Sequence, residues 1–269
     1  MQPLFINGQS GALFALYYPS STGDHSKAIV HVPAFAEEMN KSRRMVALQA
    51  QALADQGYAV LVLDLFGTGD SAGDFGDATW SGWLDDIADA IGWLTEQGTQ
   101  SICLWGLRIG GLLALDFVSQ RPEPIEQLIA WQPVLNGDTF VTQFLRLRIA
   151  AAMLNSNAPQ EKTADLKQQL LDGQCLEVAG YSLNPQLVAP LLSLRADKLA
   201  LPVSTKITLF EVMSNPEANH SMPLSQFHVL LQNNGVTCSI NKAVGDNFWA
   251  SQEISCAPQL IALTSQILA

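Results

Sequence analysis

The chain has few charged residues, and those it has are mostly acidic. Only 14% of its 269 residues are charged, and 14 Lys and Arg stand against 25 Asp and Glu, giving a net charge of −11. An acidic surface argues against nucleic acid or an anionic membrane as a partner. The N-terminus lacks the basic segment and apolar run of a signal peptide, and no stretch approaches the length of a membrane span. We therefore expect a cytoplasmic protein.

Cysteine is also scarce. The four cysteines are scattered, without CxxC spacing, which argues against a zinc module or a disulfide scaffold. We expect them to be reduced core residues, and we predict neither a metal site nor a cofactor.

What is present is an alternation of strand and helix patterns in a chain that is 48% hydrophobic. Alternation of this kind predicts an α/β fold with a mostly parallel, doubly wound sheet and right-handed crossovers. The pattern changes between about Pro133 and Leu199, where helical segments predict an inserted lid. We thus expect a core formed by residues 1–132 and 200–269, and a lid or cap at 133–199. Strands are predicted near 3–6, 12–18, 28–32, 58–63, 101–105, 125–131, 206–212 and 236–240, and helices near 42–56, 80–96, 139–154, 160–171, 224–232 and at the C-terminus.

The most informative segment is the sharp turn predicted after the strand that begins at Ser101. It reads Gly106-Leu-Arg-Ile-Gly110 and leads into an apolar helix. This is the nucleophile-elbow pattern, in which a strand leads through a tight turn into a helix. The turn has small residues two positions before and two positions after its central residue, and normally reads G-x-S-x-G. The flanking positions must be small because the turn is tight. Here the central residue is Arg108.

With this elbow the chain resembles the α/β-hydrolase superfamily, and Asp64-Leu-Phe-Gly-Thr-Gly-Asp-Ser71 is similar to that superfamily's loop after the fourth strand. Four segments more specifically resemble the exosortase A system-associated hydrolase 2 family. They are His31 to Arg44 (HVPAFAEEMNKSRR), Leu104 to Gly110, Trp131 to Gly137 and Gln143 to Arg148. The resemblance implies an α/β-hydrolase fold with a helical lid. It also implies a hydrolase linked to bacterial exopolysaccharide production.

The residues do not supply a Ser-His-Asp triad. Arginine keeps its proton at any accessible pH and cannot be the attacking nucleophile. In the superfamily the catalytic histidine follows the last strand, where this chain has Gly245-Asp-Asn-Phe-Trp249, while the acid position offers Glu211. We therefore predict that the chain is not a conventional serine hydrolase.

Arg108 begins a helix, where the helix dipole disfavours a cation, so we expect an acidic partner. In the superfamily's sheet the third and fifth strands are neighbours, which brings Glu37 and Glu38 within reach. Three interpretations stay open: an internal ion pair that plugs a former active site, a pocket in which Arg108 grips an anion, and unconventional catalysis. The third would use Glu37, Glu38 or His31 as the base and Arg108 to stabilise negative charge. At the end of a buried strand, however, His31 is typical of a hydrogen-bonded packing residue.

The predicted partner is a small anionic or acyl compound, and the oligomeric state is left open. The residues expected to line its pocket are Phe35, Ala36, Leu107, Arg108, Glu211, Asn247 and Trp249. Lys41, Arg43 and Arg44 form a local basic cluster that either lies in solvent or guides an anion toward Arg108. We expect Ser42 to cap the helix that follows it and Ser71 to lie in a turn.

Overall fold

A computed structural model describes residues 1–121, 123–153 and 161–269. Its strands are β1 Gln2–Asn7, β2 Ala12–Tyr18, β3 Lys27–Val32, β4 Ala59–Leu63, β5 Ser101–Leu107, β6 Ile125–Trp131, β7 Leu176–Val178, β8 Tyr181–Leu183, β9 Lys206–Met213 and β10 Cys238–Val244. Its helices are α1 Glu37–Asp55, α2 Trp80–Glu96, α3 Ile109–Gln120, α4 Gly137–Met153, α5 Thr163–Leu171, α6 Pro185–Val188, α7 Met222–Asn233 and α8 Pro258–Leu268.

Eight strands form one sheet in the order β1-β2-β4-β3-β5-β6-β9-β10. β1 and β2 pair antiparallel with each other, and β2 pairs antiparallel with β4, whereas every neighbouring pair from β4 to β10 is parallel. Two hydrophobic clusters cover the sheet, one containing residues of α2, α3 and α7 and the other residues of α1 and α8. The predicted mostly parallel α/β sheet with helices on both faces is confirmed.

The insertion between β6 and β9 carries α6 and the two strands that do not belong to the main sheet, together with the helices named below. β6 and β9 are neighbours, with Leu128 opposite Ile207, so the chain leaves the sheet and returns to the adjacent position. Helices α4 and α5 and the β7–β8 hairpin lie in this interval. The predicted end of one helix and start of the next, at 154 and 160, fall outside the described residues.

Helix α1 begins five residues before the predicted start. Ala36 precedes it with φ 52°, and Glu37 and Glu38 occupy its first turn, where the helix dipole favours acidic side chains. Ser42 is therefore not a helix cap, which corrects the prediction: it lies in the second turn and donates from Oγ to the Glu38 carbonyl at 2.6 Å.

The last strand spans 238–244 rather than 236–240, because Val236 closes the turn after α7 by donating to the Leu231 carbonyl. Of the four cysteines Cys103 is buried, but Cys175 is exposed and is not a core residue. None of the described helices is long and apolar enough to cross a bilayer.

Candidate functional site

The predicted elbow joins β5 to α3. Arg108 has φ 56° and ψ −118°, a conformation that L-residues rarely adopt and that is commonly strained at functional sites. Its backbone is anchored to the next strand, since its N–H donates to the Trp131 carbonyl at 2.9 Å and its own carbonyl accepts from the Val134 N–H at 3.1 Å. A Cβ on Gly106 would lie 2.6 Å from Gly111 Cα, and one on Gly110 would collide with the Val32 and Pro33 carbonyls. The two glycines therefore serve the steric role that the sequence predicted.

The Arg108 side chain has the acidic partner that its position requires. Nε and Nη2 both donate to Glu38 Oε1 at 3.2 Å, and Nη1 approaches the Gln132 carbonyl at 3.4 Å. The guanidinium carbon lies 5.4 Å from the centroid of the Trp249 ring, within cation–π range. The two charged side chains are 18% and 24% exposed. Arg108 is thus held on three sides by a carboxylate, a carbonyl and an aromatic face.

The two predicted glutamates have different surroundings. Glu38 is half-buried, and its Oε2 is sealed from solvent without a hydrogen-bond partner among the described residues. Burial raises the pKa of Glu38, an effect that the nearby positive charge of Arg108 opposes. Glu37 is exposed and accepts from the Tyr181 hydroxyl at 3.3 Å and from Asn40 at 3.2 Å. Within the described structure, Glu38 is the member of the pair that contacts Arg108.

Arg108 also borders a cavity of about 640 Å³, a size typical of ligand sites. Its walls come from the end of β6, from α4, from the segment around Arg195, from β9 and from α7. Apolar side chains supply much of the lining: Pro133, Val134, Leu135, Phe140, Leu224, Phe227 and Leu230. Arg195 and Asp197, which also line it, pair with each other at 2.9 Å. Arg108 is therefore paired internally and still faces an open cavity.

Glu211 lines the same cavity and has a partner that the sequence analysis missed. His220 Nδ1 lies 3.0 Å from Glu211 Oε2, and the Ser221 N–H donates to both carboxylate oxygens at 3.0 and 3.2 Å. The resemblance implies a histidine after the last strand, whereas His220 follows β9. The available signal was Ser214-Asn215-Pro216, turn-forming residues that let the chain reverse between Glu211 and His220.

The other predicted pocket residues lie in several places. Phe35 is buried, with its ring against Phe75, Trp83, Phe140 and Phe144, and Ala36 is the residue before α1. Leu107 lines a second, smaller cavity, Asn247 is exposed, and Trp249 is buried against Arg108. Phe35, Ala36, Leu107, Asn247 and Trp249 are not among the described residues that line the larger cavity.

His31 is buried at the end of β3, and its Nδ1 lies 3.0 Å from the Trp105 carbonyl, which makes Nδ1 a donor. Burial lowers the pKa of His31 to about 3.

Ser71 lies in the loop after β4 and donates to the Asp64 carbonyl at 2.6 Å. Of the basic cluster, Arg43 pairs with Asp64 at 3.1 Å rather than with a group at the larger cavity.

Comparison with known proteins identifies the family. The family model described as serine aminopeptidase, S33, matches residues 23–200, two thirds of the chain. A curated relative, the uncharacterized protein RP471 of Rickettsia prowazekii, is 29% identical over 138 residues. That alignment covers 51% of this chain and 57% of the relative, so the chain spans little more than half of the relative's length.

Solved structures show the same fold at low sequence identity. Est1E from Butyrivibrio proteoclasticus, bound to ferulic acid, has a TM-score of 0.72 at 14% identity, covering 98% of this chain and 97% of its own. Proline iminopeptidase from Mycobacterium smegmatis has a TM-score of 0.62 at 13% identity, covering 99% and 97%. The sheet order, the elbow geometry and these similarities agree with one another. The chain has the α/β-hydrolase fold and belongs to the serine aminopeptidase S33 family.

Proposed function

We propose that the cavity beside Arg108 binds a small compound with an anionic head and an acyl or other apolar body, and that the protein is not a serine hydrolase. The observation that carries the proposal is the position of Arg108, which borders a 640 Å³ cavity and has a permanent cation where the fold normally has its nucleophile. Nη1 makes only the long 3.4 Å approach to Gln132, so this edge of the guanidinium can still bind a carboxylate.

The apolar wall of the cavity indicates that the rest of the ligand is apolar. Phe140 and Phe227 face the cavity together with leucine, valine and proline side chains, and burying an acyl chain there is favourable. In this proposal residues 133–199 act as a lid, since described residues of this range, Phe140 among them, supply one side of the cavity. The resemblance to the exosortase A system-associated hydrolase 2 family favours a cytoplasmic acyl compound of exopolysaccharide production as the ligand.

Glu38 makes the binding dependent on pH. A ligand anion at Arg108 competes with the Glu38 carboxylate for the same cation, and burial already raises the pKa of Glu38. Anion binding should therefore be accompanied by proton uptake at Glu38, and affinity should fall as pH rises.

Calorimetry with octanoate and ferulate tests this proposal. Arg108→Met should lower the affinity at least about tenfold, and Glu38→Gln should raise the affinity and remove its fall with rising pH. Arg121→Met is the matched control, because Arg121 pairs with Asp85 and does not line the cavity. Unchanged affinity in Arg108→Met, with that variant folded, would contradict an anion site.

Hydrolysis of an ester or acyl compound is the second candidate, favoured by the pair of Glu211, which lines the cavity, and His220, which contacts Glu211. A carboxylate on Nδ1 leaves Nε2 of the imidazole to act as a base toward water. Glu38 is the other possible base, since a raised pKa makes its carboxylate more basic than usual, with Arg108 stabilising the developing negative charge. Glu37 is also among the bases predicted from the sequence, although it is exposed and contacts Tyr181.

Hydrolysis and binding alone give different results with two reagents. A fluorophosphonate probe should not label the protein under either candidate, and saturable labelling would show that a serine nucleophile exists. Turnover of p-nitrophenyl butyrate that is lost in His220→Asn or Glu38→Gln would establish unconventional hydrolysis. Absence of turnover in the wild-type protein, together with octanoate binding, would leave the binding function alone.

A further inference from the structure

A second cavity, of about 170 Å³, lies beneath α1. It shares no lining residue with the larger cavity. Most of its buried apolar lining belongs to the hydrophobic cluster that contains residues of α1 and α8, whereas the buried apolar lining of the larger cavity belongs to the other cluster. Its walls include Leu16, Tyr18, Pro33, Ala34, Val46 and Val62. The two cavities are therefore separate sites.

His31 gives this apolar cavity a polar group without a partner. The side chain is 2% exposed and lines the cavity, and its Nδ1 is used by the Trp105 carbonyl at 3.0 Å. Because Nδ1 carries the proton, Nε2 has a lone pair, and it has no hydrogen-bond partner among the described residues. Burial keeps the pKa of His31 near 3, so the imidazole is neutral at physiological pH. The cavity thus presents a neutral acceptor.

Asp64 and Ser42 also line this cavity and already have partners, whereas the Tyr18 hydroxyl, which lines it too, has no hydrogen-bond partner among the described residues. Asp64 accepts from Arg43 Nη2 at 3.1 Å and from the Asp70 N–H at 3.1 Å, and Ser42 donates to the Glu38 carbonyl. Because Asp64 already neutralises Arg43 and Met1 is 66% exposed, a charged ligand would lose its hydration beside His31 without a buried counter-charge, which is unfavourable. A neutral molecule that carries one hydroxyl would satisfy His31 and bury its apolar part.

We propose that this cavity binds a small neutral phenol or alcohol whose hydroxyl donates to His31 Nε2. The volume is suitable, because a cavity of roughly 150 Å³ lined by apolar side chains holds a benzene-sized molecule. The site is independent of the ligand proposed for Arg108, although Leu107, the residue before Arg108, forms part of its wall.

Phenol, toluene and benzoate are the probes, added to the full chain and followed by thermal shift and by ¹⁵N spectra of the histidine ring. Phenol should stabilise the protein saturably with a Kd of about 0.1–1 mM, at least about tenfold more tightly than toluene, and benzoate should not bind at this cavity. Phenol should also shift the His31 Nε2 resonance, which a site elsewhere would leave unchanged.

Two variants complete the test. Ala47→Leu fills the cavity from a half-buried position on α1 and should abolish the phenol shift, whereas Gln51→Leu, an exposed change one turn later, should leave it intact. His31→Phe, if it folds, should bind phenol and toluene alike. Saturable phenol binding that persists in Ala47→Leu, or no saturable effect of phenol on the wild-type protein, would overturn the proposal.

Discussion

Arg108 combines two unfavourable features, a strained backbone and a cation at a helix N-terminus. The positive φ of 56° costs roughly 1–3 kcal/mol at a non-glycine residue. The positive charge lies where α3 favours an anion. Both features persist because Gly106 and Gly110 hold the turn and because Glu38 supplies a nearby negative charge. The pair formed by Arg108 and Glu38 therefore matters to stability as well as to binding.

A double-mutant cycle with Arg108→Met and Glu38→Gln measures this contribution. We expect a coupling free energy of about 1–3 kcal/mol, because both side chains are mostly buried and each single change leaves a partner unpaired. Urea unfolding of the four proteins gives the value. The pair formed by Arg195 and Asp197 is the control, and its more exposed position predicts a smaller coupling. Equal couplings for the two pairs would contradict the structural importance given to Glu38.

At the scale of elements, the elbow between β5 and α3 depends on the close approach of two backbone segments. Gly110→Ala should destabilise the protein by about 2–4 kcal/mol, because its Cβ would collide with backbone carbonyls of Val32 and Pro33 that cannot move independently of β3. The measurement is the free energy of unfolding in urea.

Gly92→Ala is the matched control within a helix. Gly92 lies in α2 and a Cβ there has no heavy atom within 4 Å, so alanine should stabilise by about 0.5–1 kcal/mol through helix propensity. If Gly110→Ala had the same small positive effect, the tight elbow geometry would be wrong.

Strands and helices could be predicted where a run of apolar residues marks a buried segment, and were harder to predict where the segment is partly exposed. β4 and β5 lie inside the sheet and are almost wholly buried, so their apolar runs identify them. β10 lies at the edge, and Asn241 and Lys242 within it give no such pattern. The first turn of α1 is acidic, and its start depends on the positive φ of Ala36, which the sequence does not reveal.

At the scale of the whole molecule, the alternation of strand and helix patterns predicted the α/β sheet, but the sequence predicted only part of the candidate site. The elbow followed from the spacing of its glycines, and its acidic partner followed from charge together with the strand order that the resemblance implies; the structure pairs Arg108 with Glu38. The contact between His220 and Glu211 depends on the path of a loop, and the lining of the larger cavity depends on how α4 and α7 pack. Such tertiary placement has no periodic signature in the chain.

Two buried groups give the stability of the whole protein opposing dependences on pH. His31 is neutral when folded, with its pKa lowered from 6.5 to about 3, so stability is lost as pH falls below about 6.5. Asp86 is buried in α2, and burial, aided by the charges of Asp89 and Asp85, raises its pKa from 3.8 to about 7. The folded protein therefore binds more protons at Asp86 than the unfolded chain between these values, and stability falls as pH rises through that range.

Asp86→Asn should remove the second dependence and leave the first. The amide oxygen can still accept from the Phe66 N–H, which Asp86 now binds at 2.7 Å, so the local structure should be kept. Relative to wild type, the variant should gain about 2–3 kcal/mol of stability between pH 5 and pH 8, because ionising the buried carboxyl destabilises only the wild-type fold. Using the change between two pH values cancels the intrinsic effect of the substitution. Asp55→Asn, at an exposed position of α1, is the control and should show no such change. If the difference in unfolding free energy between Asp86→Asn and wild type did not depend on pH, burial would not disfavour the ionised form of Asp86.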